Sequence, residues 1–505
     1  MNTVFILTDQ HNPFFTGCYG HRLAETPAID SIAARGTRFQ YAYCNSPLCV
    51  PSRAALFTGR YVFENACWDN ALPWNGRMRG WPHFLRERSV QLTTIGKLDF
   101  QPGVDHGIGQ ELLARHRSDR DIHGLFRHEP DNPPRWSEYQ FRQRSGPRTD
   151  LKEEDFNDYK VAQRAAEWLL SERPTDRPWV LNVNFVQPHP AWPCPPQLWE
   201  KWQARVRIED LEPKYFEPCE KLHPYHQSFA HHSSGMYSDD ELLRRCYAAY
   251  LAHCELVDRN IKRVLEALEA AGIINETCVI CASDHGENCR AHRMWGKMNM
   301  YEDALRIPLV IMGPGLQRGV VEQSPVSLLD IFPTVVDALG IERTEDFRGI
   351  SLLPQLRGHP DAVRNEYVLS EYHANGIPAG VFAVSDGRMK YVEAVGARPM
   401  LFDLQADSQE LHDLVVEESA APRTHATISR MRAWLCALCS PQGVDLRAKN
   451  DQAILRREMS ADGTLAQGIF KRGYELRIDR LVPRSEFVPR EIWNPGTTAA
   501  DGAAE

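Results

Sequence analysis

The segment CVPSRAALFTGRY brings Cys49, Pro51 and Arg53 together within five residues. A cysteine attacks a substrate only as a thiolate, and the positive charge of Arg53 would lower the pKa of the Cys49 thiol at the start of the helical pattern that follows. Pro51 suits the first turn of that helix. The segment therefore indicates either a reactive cysteine or, as an isolated match usually does, a half-buried cysteine in front of a helix.

Short apolar runs alternate with helical patterns over most of the chain. The runs are VFILTD, WVLNVNFV, TCVICASD and IPLVIMG, and the clearest helical patterns are TPAIDSIAARGTRF and LRRCYAAYLAHCELVDRNIKRVLEALEAAG. This alternation predicts an α/β fold, with a large mixed, mostly parallel sheet flanked by helices. Ligands bind beyond the carboxyl ends of parallel strands, and two of the runs end in an acid, at Asp9 and Asp284. We expect both carboxylates at one edge of the sheet.

The composition changes after RGISLLPQLRGHP, where EYVLSEY, GVFAVSDGRMKYVEA and MLFDLQADSQELHDL indicate a short antiparallel sheet, followed by a helix around Met431. We predict an N-terminal α/β catalytic domain at residues 1–365 and a smaller C-terminal α+β domain at 366–445. Residues 446–505 form a C-terminal extension, either an arm that wraps around a second subunit or simply an ordered segment. Residues 105–160 and 190–240, rich in Pro, His, Arg and Trp, are predicted to be loops over the site.

The segment SPLCVPSRAALFTGRY resembles the signature of the formylglycine-dependent sulfatases, which belong to the alkaline-phosphatase-like superfamily. In that family a formylglycine-generating maturation enzyme oxidises the cysteine of C-x-P-x-R to an aldehyde, which hydrates to a geminal diol. The resemblance implies that Cys49 is the precursor of the nucleophile and that Arg53 orients the diol. One diol hydroxyl would attack the sulfur of a small-molecule sulfate ester, and the other would later collapse to expel sulfate.

Four residues are candidates for one metal site: Asp9, the oxidised Cys49, and the adjacent pair Asp284 and His285 in CASDHGEN. Ligation dominated by oxygen favours Ca²⁺, with Mg²⁺ or Mn²⁺ as alternatives, over zinc. The imidazole of His285 makes Mn²⁺ more acceptable than an all-oxygen site would. Taken alone, either aspartate would more commonly cap a strand or form a turn.

Three further residues match family positions around the sulfuryl group. The segment RMWGKMNMYEDALRIPLVIMGPG resembles the motif after SDHG and places Lys297 against that group; Lys97 in TTIGKLDF matches a second such lysine. His189 in VQPHPAW matches the histidine that faces the leaving group. Singly, these would be surface lysines and a loop histidine. Together they supply cations around the equatorial oxygens and a proton donor for the departing oxygen.

Two positions depart from the common sulfatase pattern. Many sulfatases have a second aspartate after the first strand, where this chain has Gln10; with His285, this resembles the choline-sulfatase and phosphonate-monoester-hydrolase branch. The family histidine two residues beyond the GK lysine is replaced by Asp99. We hypothesise that Asp99 acts as the base in its place, because Lys97 would keep the carboxylate ionised. The alternative is a weakened or specialised enzyme.

Two residues are predicted to bind substrate, Asn70 in CWDNALPW and Gln10. Asn70 occupies roughly the place of an asparagine that reaches the anionic group in this branch. The neighbouring Trp68 and Trp74, with Trp192, would form an aromatic wall for the substrate or a cation-binding cage or, as loop tryptophans more often do, part of the packing.

Composition and charge limit the classes of partner that this protein is expected to bind. The chain has 505 residues, a formal net charge of -9 with intermixed signs, and thirteen cysteines at irregular positions. No basic stripe suggests nucleic acid, no apolar stretch approaches the ~20 residues that span a bilayer, and MNTVFILTDQ lacks the features of a signal peptide. We expect a cytoplasmic, reduced protein with no nucleic-acid or membrane partner, and a homo-oligomer joined through the C-terminal extension.

The sequence analysis favours a metal-dependent sulfuric ester hydrolase that releases sulfate and an alcohol or phenol. One alternative keeps the site but changes the substrate to a phosphonate monoester or phosphodiester, since both groups are tetrahedral oxyanions. A second, less favoured alternative is a catalytically impaired homologue that binds an anion, motivated by Asp99. The leaving group is not readable from the sequence.

Overall fold

The computed structural model describes residues 1–117, 125, 127, 141, 144–233, 238–344, 347–359, 361–417, 421–461 and 463. The strands are β1 Asn2–Asp9, β2 Thr37–Phe39, β3 Ala42–Tyr43, β4 Gln91–Lys97, β5 Gln110–Arg115, β6 Gly146–Pro147, β7 Trp179–Pro188, β8 Pro193–Cys194, β9 Thr277–Ser283, β10 Leu309–Met312, β11 Val320–Glu322, β12 Val326–Ser327, β13 Val368–Tyr372, β14 Val381–Ser385, β15 Met389–Ala394 and β16 Met400–Asp403. The α-helices are α1 Pro27–Arg35, α2 Cys49–Thr58, α3 Val62–Asn65, α4 Trp81–Glu87, α5 Asn157–Glu167, α6 Pro196–Gln203, α7 Pro224–His232, α8 Asp240–Ala270, α9 Glu302–Leu305, α10 Ile331–Leu339, α11 Leu353–Leu356, α12 Leu414–Glu417, α13 Pro422–Leu438 and α14 Pro441–Ala461.

An eight-stranded sheet with the order β11-β2-β10-β9-β1-β7-β4-β5 organises the N-terminal part. Strand β10 runs antiparallel to both β2 and β9, and the other neighbouring pairs are parallel. The predicted α/β class, with a mixed and mostly parallel sheet, is confirmed. Seven of the eight residues of the central strand β1 are buried, since the sheet is covered on both faces.

Side chains of β1 alternate between two cores. Val4 and Ile6 pack with Val257 of α8 on one face, whereas Phe5 and Leu7 join the cluster that contains residues of α10 on the other. These four side chains of β1 are fully buried. Because burying such a side chain stabilises a fold by about 1.5–3 kcal/mol, β1 is fixed from both faces.

The register of the central strands brings their carboxyl ends to one edge. Thr8 of β1 pairs with Ser283 of β9, and Asp9 pairs with Pro188 of β7. The residues that directly follow these positions, Asp284 and His189, therefore lie at the same edge as Asp9. The predicted meeting of the strand-end acids is confirmed.

A separate antiparallel sheet, β13-β14-β15-β16, follows as the sequence predicts. Met431 and Leu435 of α13 pack on it against Tyr391 and Leu401. Helix α14 runs across residue 445, where we placed the start of the C-terminal extension, so that the first part of the extension continues a helix of the preceding region. Residues 464–505 lie outside the described part of the chain, and the domain boundaries stay predictions.

Two further expectations concern local structure. The segment 190–240 was predicted to be loop, but it contains helices α6 and α7. Trp199 and Trp202 of α6 point into a buried cluster, so the aromatic content that we assigned to a loop is the apolar face of a helix. Among the helices in the described residues, none is long and apolar enough to cross a bilayer.

Candidate active site

Cys49 is the first residue of α2 and is 1% exposed. The preceding Leu48 offers no side-chain acceptor for the unpaired amides that begin every α-helix. The acceptor comes from another segment, since Oδ1 of Asn70 receives the N–H of Val50 at 3.2 Å. Asn70 thus lies beside the nucleophile position, where its oxygen caps the helix that carries Cys49.

The four predicted metal ligands meet in one buried cluster. Ligand atoms of Asp9, Cys49, Asp284 and His285 all lie within 4.8 Å of one another. The Sγ atom of Cys49 is 3.3 Å from Nε2 of His285 and 3.9 Å from Oδ1 of Asp9. Residues from β1, α2 and the end of β9 therefore converge on one point.

The donor set fits a divalent cation. Nδ1 of His285 lies 3.0 Å from the carbonyl oxygen of Gly286, which can only accept, so Nδ1 carries the proton and Nε2 directs a lone pair at the cluster. Burial and the nearby Asp9 charge raise the pKa of Asp284 to about 6. Two buried carboxylates that repel each other at this distance are stabilised by a cation between them.

Arg53 ties the two carboxylates together. Its Nε donates to Oδ2 of Asp284 at 2.8 Å and its Nη2 donates to Oδ2 of Asp9 at 3.1 Å, while Nη1 donates to the carbonyl of Lys97 at 2.6 Å. The side chain is 1% exposed. Burial alone would raise the pKa of Asp9, but Lys97, His189 and Arg53 outweigh it and hold that pKa well below its usual value. Arg53 therefore fixes the positions of two predicted metal ligands.

Three predicted residues surround the Cys49 thiol. Nζ of Lys297 lies 3.2 Å from Sγ, and Nζ of Lys97 donates to Oδ2 of Asp9. Burial, followed by the charge of Lys297, lowers the pKa of His189, and Cys49 opposes this change. Burial and Asp9 raise the pKa of the Cys49 thiol, yet the cations outweigh them and leave it well below its usual value. The position of residue 49 thus favours an anion.

Asp99 occupies the position of the expected histidine and is 3% exposed. Its Oδ2 lies 3.3 Å from Nζ of Lys97 and accepts from Nη2 of Arg117 at 3.0 Å. Burial raises the pKa of this carboxyl, but Lys97 and Arg117 outweigh burial and hold it well below the usual range. Asp99 is therefore ionised near neutral pH, as the sequence-based hypothesis requires, although a carboxylate with so low a pKa is a weak base.

The chain matches two known protein families. Residues 1–341 match the family described as "Sulfatase", and residues 290–435 match the family described as "N-sulphoglucosamine sulphohydrolase, C-terminal". The chain belongs to the sulfatase family. Membership confirms the predicted family and makes the chain a sulfuric ester hydrolase.

Relatives of this sulfatase carry two kinds of name. Arylsulfatase K of Bos taurus is 29% identical over 445 residues, covering 82% of this chain and 78% of that protein, and its Homo sapiens counterpart is 29% identical over 440 residues, covering 82% and 79%. The choline-sulfatase of Rhizobium meliloti is 29% identical over 467 residues, covering 90% of this chain and 89% of that protein.

Solved structures share the fold of this sulfatase. The phosphonate monoester hydrolase of Agrobacterium radiobacter matches with a TM-score of 0.72 at 23% identity, covering 86% of this chain and 95% of that chain. The phosphonate monoester hydrolase of Silicibacter pomeroyi matches with a TM-score of 0.71 at 22% identity, covering 86% and 94%. At these identities the likeness concerns the fold.

Gln10 does not stand alone in the sulfatase site. Its Oε1 accepts from Nζ of Lys297 and its Nε2 donates to Oε2 of Glu287, while its own N–H donates to Oδ1 of Asp284 at 3.0 Å. Its φ angle is 65°, in the left-handed region that an amino acid with a side chain rarely adopts. Gln10 therefore links Asp284, a predicted metal ligand, to Lys297, which is predicted to bind the sulfuryl group.

Glu287 is a site residue that the sequence analysis missed. Its Oε1 accepts from the amides of Cys289 at 2.7 Å and Gly296 at 2.8 Å, and Oε2 accepts from Gln10. These bonds close the loop that presents Lys297, directly after Gly296. The signal was present in the sequence, because Glu287 stands two residues after His285 in the same motif, CASDHGEN.

The three tryptophans form packing rather than an aromatic wall. Trp68, Trp74 and Trp192 are each at most 2% exposed. Their indole N–H groups donate to Asp451 at 2.9 Å, to the carbonyl of Met78 at 2.9 Å and to the carbonyl of Pro188 at 2.6 Å, respectively. The alternative of an aromatic substrate wall is wrong, since these rings are buried against the protein.

Proposed function

We propose that this sulfatase hydrolyses a small sulfate ester with a formylglycine made from Cys49 and with a divalent cation held by Asp9, residue 49, Asp284 and His285. The observation that carries the proposal is the convergence of the Cys49 thiol with two carboxylates, an imidazole and the ammonium group of Lys297. The two hydroxyls of the hydrated aldehyde would supply, in turn, the nucleophile and the group whose deprotonation releases sulfate.

Ca²⁺ is the proposed cation, because two carboxylates and an oxidised residue 49 give a site dominated by oxygen. It would neutralise a non-bridging oxygen of the ester and favour ionisation of the residue-49 hydroxyl. The test is removal of metal with a chelator, followed by addition of Ca²⁺, Mg²⁺ or Mn²⁺ one at a time. The melting temperature and the hydrolysis rate should both recover most with Ca²⁺; better recovery of both with another ion would reassign the site.

Lys97 and Lys297 would bind the equatorial sulfuryl oxygens, since both ammonium groups already lie beside residues of the cluster. His189 would protonate the leaving oxygen. Its Nδ1 donates to the carbonyl oxygen of Pro190 at 2.6 Å, so the proton given to the leaving oxygen would be a second one, carried on Nε2 of the imidazolium form. Asp99 would accept the proton of the second hydroxyl, and the deprotonated group would then expel sulfate.

The decisive experiment is mass spectrometry of the tryptic peptide 39–53, from protein made together with a formylglycine-generating enzyme. This peptide contains both Cys44 and Cys49, so Cys44 is an internal control for nonspecific oxidation. Fragment ions should place an aldehyde at residue 49 and a thiol at residue 44. A thiol at both positions under competent maturation would refute the formylglycine mechanism and leave Cys49 itself as the candidate nucleophile.

The Cys49→Ser variant separates the two hydroxyls of the proposed mechanism. A serine has one hydroxyl, so it can attack sulfur but cannot expel the bound sulfate. Incubation with substrate should yield at most one equivalent of product and a sulfated residue 49, detectable in the same peptide. Full turnover by the variant would contradict the role of the second hydroxyl.

A phosphonate monoester or a phosphodiester is the second candidate substrate. The observation in its favour is Gln10, a residue of the branch that includes the phosphonate monoester hydrolases, which contacts Lys297 in the site. Parallel kcat/KM measurements on an aryl sulfate, an aryl phosphonate and an aryl phosphodiester discriminate between the two. A larger kcat/KM for the sulfate supports the first proposal, and absence of turnover on all three favours an anion-binding homologue.

We further propose that the protein works in the cytoplasm as a homo-oligomer. All thirteen cysteines lie in the described part of the chain and none of them forms a disulfide, which is typical of proteins in reducing compartments. The extension at 446–505 is the proposed assembly element. Light scattering of the full chain and of a chain ending at residue 463 should show a loss of mass beyond the deleted residues if 464–505 joins subunits, and cell fractionation tests the compartment.

A further inference from the structure

Helix α14 contains a buried glutamine whose amide is fully engaged. Gln452 is 1% exposed. Its Nε2 donates to Oδ2 of Asp69 at 2.7 Å and to the carbonyl of His373 at 2.9 Å, and its Oε1 accepts from Nε of Arg127 at 3.0 Å. A side-chain amide with both donors and its acceptor satisfied inside the protein has one stable orientation.

The partner of Gln452, Asp69, shapes the turn that carries Asn70. Asp69 is fully buried, and its Oδ1 accepts from the amide of Ala71 at 2.8 Å while its carbonyl accepts from Leu72 at 3.1 Å. Such local bonds are how aspartate stabilises a turn. One carboxylate oxygen therefore holds the turn and the other is held by α14.

A second bond joins the same two segments. Nε1 of Trp68 donates to Oδ2 of Asp451 at 2.9 Å, and the indole packs with Ala448 of the same helix. Adjacent residues of α14 thus hold adjacent residues of the turn. The position of the turn depends on the helix at two points.

Asn70 transmits this position to the nucleophile. Its Oδ1 accepts from the amide of Val50, the residue next to Cys49. The contacts Gln452 to Asp69, and Asn70 to Val50, connect a helix near the C-terminus to the first turn of the helix that presents residue 49. The sequence analysis assigned no role to Gln452 or to Asp69, although Asp69 lies within CWDNALPW.

We propose that Gln452 is a positioning residue of the sulfatase reaction: through Asp69 it holds Asn70 against the first turn of α2 and so fixes where residue 49 lies. This inference rests on the proposed function, because it assigns Gln452 a part in the reaction of residue 49. Catalysis is sensitive to such placement, since displacement of a reacting group by about 1 Å can slow a reaction about 100-fold.

The test compares Gln452→Ala, Asn70→Ala and the double variant, with Gln442→Ala as the control. Gln442 lies on the same helix and is exposed. We expect Gln452→Ala to lower kcat about tenfold or more with little change in KM, and the double variant to be no slower than Asn70→Ala. Multiplied effects in the double variant, or a kcat within twofold of the wild type for Gln452→Ala, would overturn the proposal.

Hydrogen exchange provides a readout that needs no turnover. In protein with unmodified Cys49, the amide of Val50 should exchange faster in Gln452→Ala than in the wild type and the Gln442→Ala control. Unchanged exchange would refute the positioning role even if the wild type is active. Conversely, if the wild type hydrolyses no sulfate ester but the Val50 amide still exchanges faster in Gln452→Ala, only the proposed function would be refuted.

The variant Gln452→Met covers the case in which Gln452→Ala does not fold, because methionine has a similar volume and cannot form the bond to Asp69. The same kcat and exchange changes are expected, measured below the melting temperature, which the lost bonds to buried partners should lower. A folded Gln452→Met variant with wild-type kcat and Val50 exchange would contradict the proposal.

Discussion

The Sγ atom of Cys49 lies 3.2 Å from the ammonium nitrogen of Lys297, closer than the 3.9 Å that separates it from Oδ1 of Asp9. Of the groups that lower the pKa of the thiol, Lys297 has the largest effect, against the opposing effects of burial and Asp9. The site therefore stabilises negative charge at residue 49 before any maturation.

Lys297→Met should raise the pKa of the Cys49 thiol in metal-free protein that has not been matured, because it removes a positive charge within contact distance. The measurement is ultraviolet absorbance of the thiolate against pH, taken as the difference from a Cys49→Ala variant. Lys449→Met, which removes a half-exposed lysine on α14, is the control. An unchanged thiol pKa in Lys297→Met would show that this contact does not stabilise the thiolate.

Asp99→Asn should slow steady-state turnover about 100-fold or more while leaving the first turnover fast, because the proposed base acts only when sulfate is released. Rapid mixing with an aryl sulfate separates the two phases. Because Lys97 and Arg117 keep the carboxyl ionised, Asp99 should not be protonated in mild acid, and no loss of activity there should come from its titration.

The control for Asp99 is Asp105→Asn, which breaks an exposed ion pair with Arg86. It should behave like the wild type in both phases. If Asp99→Asn turns over many times at the wild-type rate, Asp99 does not replace the family histidine, and another group accepts the proton.

Glu287→Gln should lower kcat/KM about tenfold by displacing Gln10 and, through it, Lys297. The substituted amide would direct an N–H group at Nε2 of Gln10, where the carboxylate oxygen now accepts. Kinetics with a sulfate ester and a thermal melt report activity and folding separately. The control is Glu276→Gln, which changes an exposed residue directly before β9. Equal kcat/KM in the two variants would rule out the linkage from Glu287 through Gln10 to Lys297.

Glu371 predicts a pH dependence of stability that does not involve the active site. The carboxyl is fully buried beside His373, and burial raises its pKa from the ordinary glutamate value of 4.5 to about 8. Between these two values the folded protein binds one more proton than the unfolded chain. The free energy of unfolding contributed by this group falls as pH rises through that window, by about 1.4 kcal/mol per pH unit.

Glu371→Gln should remove that slope, since the amide keeps the hydrogen bonds and does not titrate. Urea unfolding at several pH values from 5.5 to 7.5 measures it. The wild type should lose stability relative to the variant by about 1.4 kcal/mol per pH unit. If the free energy of unfolding has the same pH dependence in the wild type and in Glu371→Gln, Glu371 titrates alike in the folded and unfolded chains.

The fold and the cluster of four predicted metal ligands were predictable because short sequence segments indicate them. Strand-length apolar runs end at Asp9 and Asp284, and parallel pairing brings such ends together. Lys97 and Lys297 were found through motif resemblance, and the structure places both beside the cluster. Whether these residues act as proposed is a matter for the variants above.

Other features were not predictable, for physical reasons. The role of Glu287 depends on a turn that folds its carboxylate back onto Gly296, and the bond of Gln452 to Asp69 joins residues separated by 383 positions. Helix α6 was mistaken for a loop because its first residue, Pro196, and its tryptophans reproduce the composition of a loop. Tertiary contacts decide such cases, and a single sequence does not record them.

The pairing of β1 with β9 sets an order of events during synthesis. The central strand β1 is made before β9, and Ser283 of β9 lies 275 positions after Thr8, to which it pairs. At about 5–20 residues per second, a ribosome needs on the order of 10 to 60 s to complete that partner. For most of this interval Cys49 has been made but its partners after β9 have not, so an enzyme that modified Cys49 would have access to it until the sheet closes.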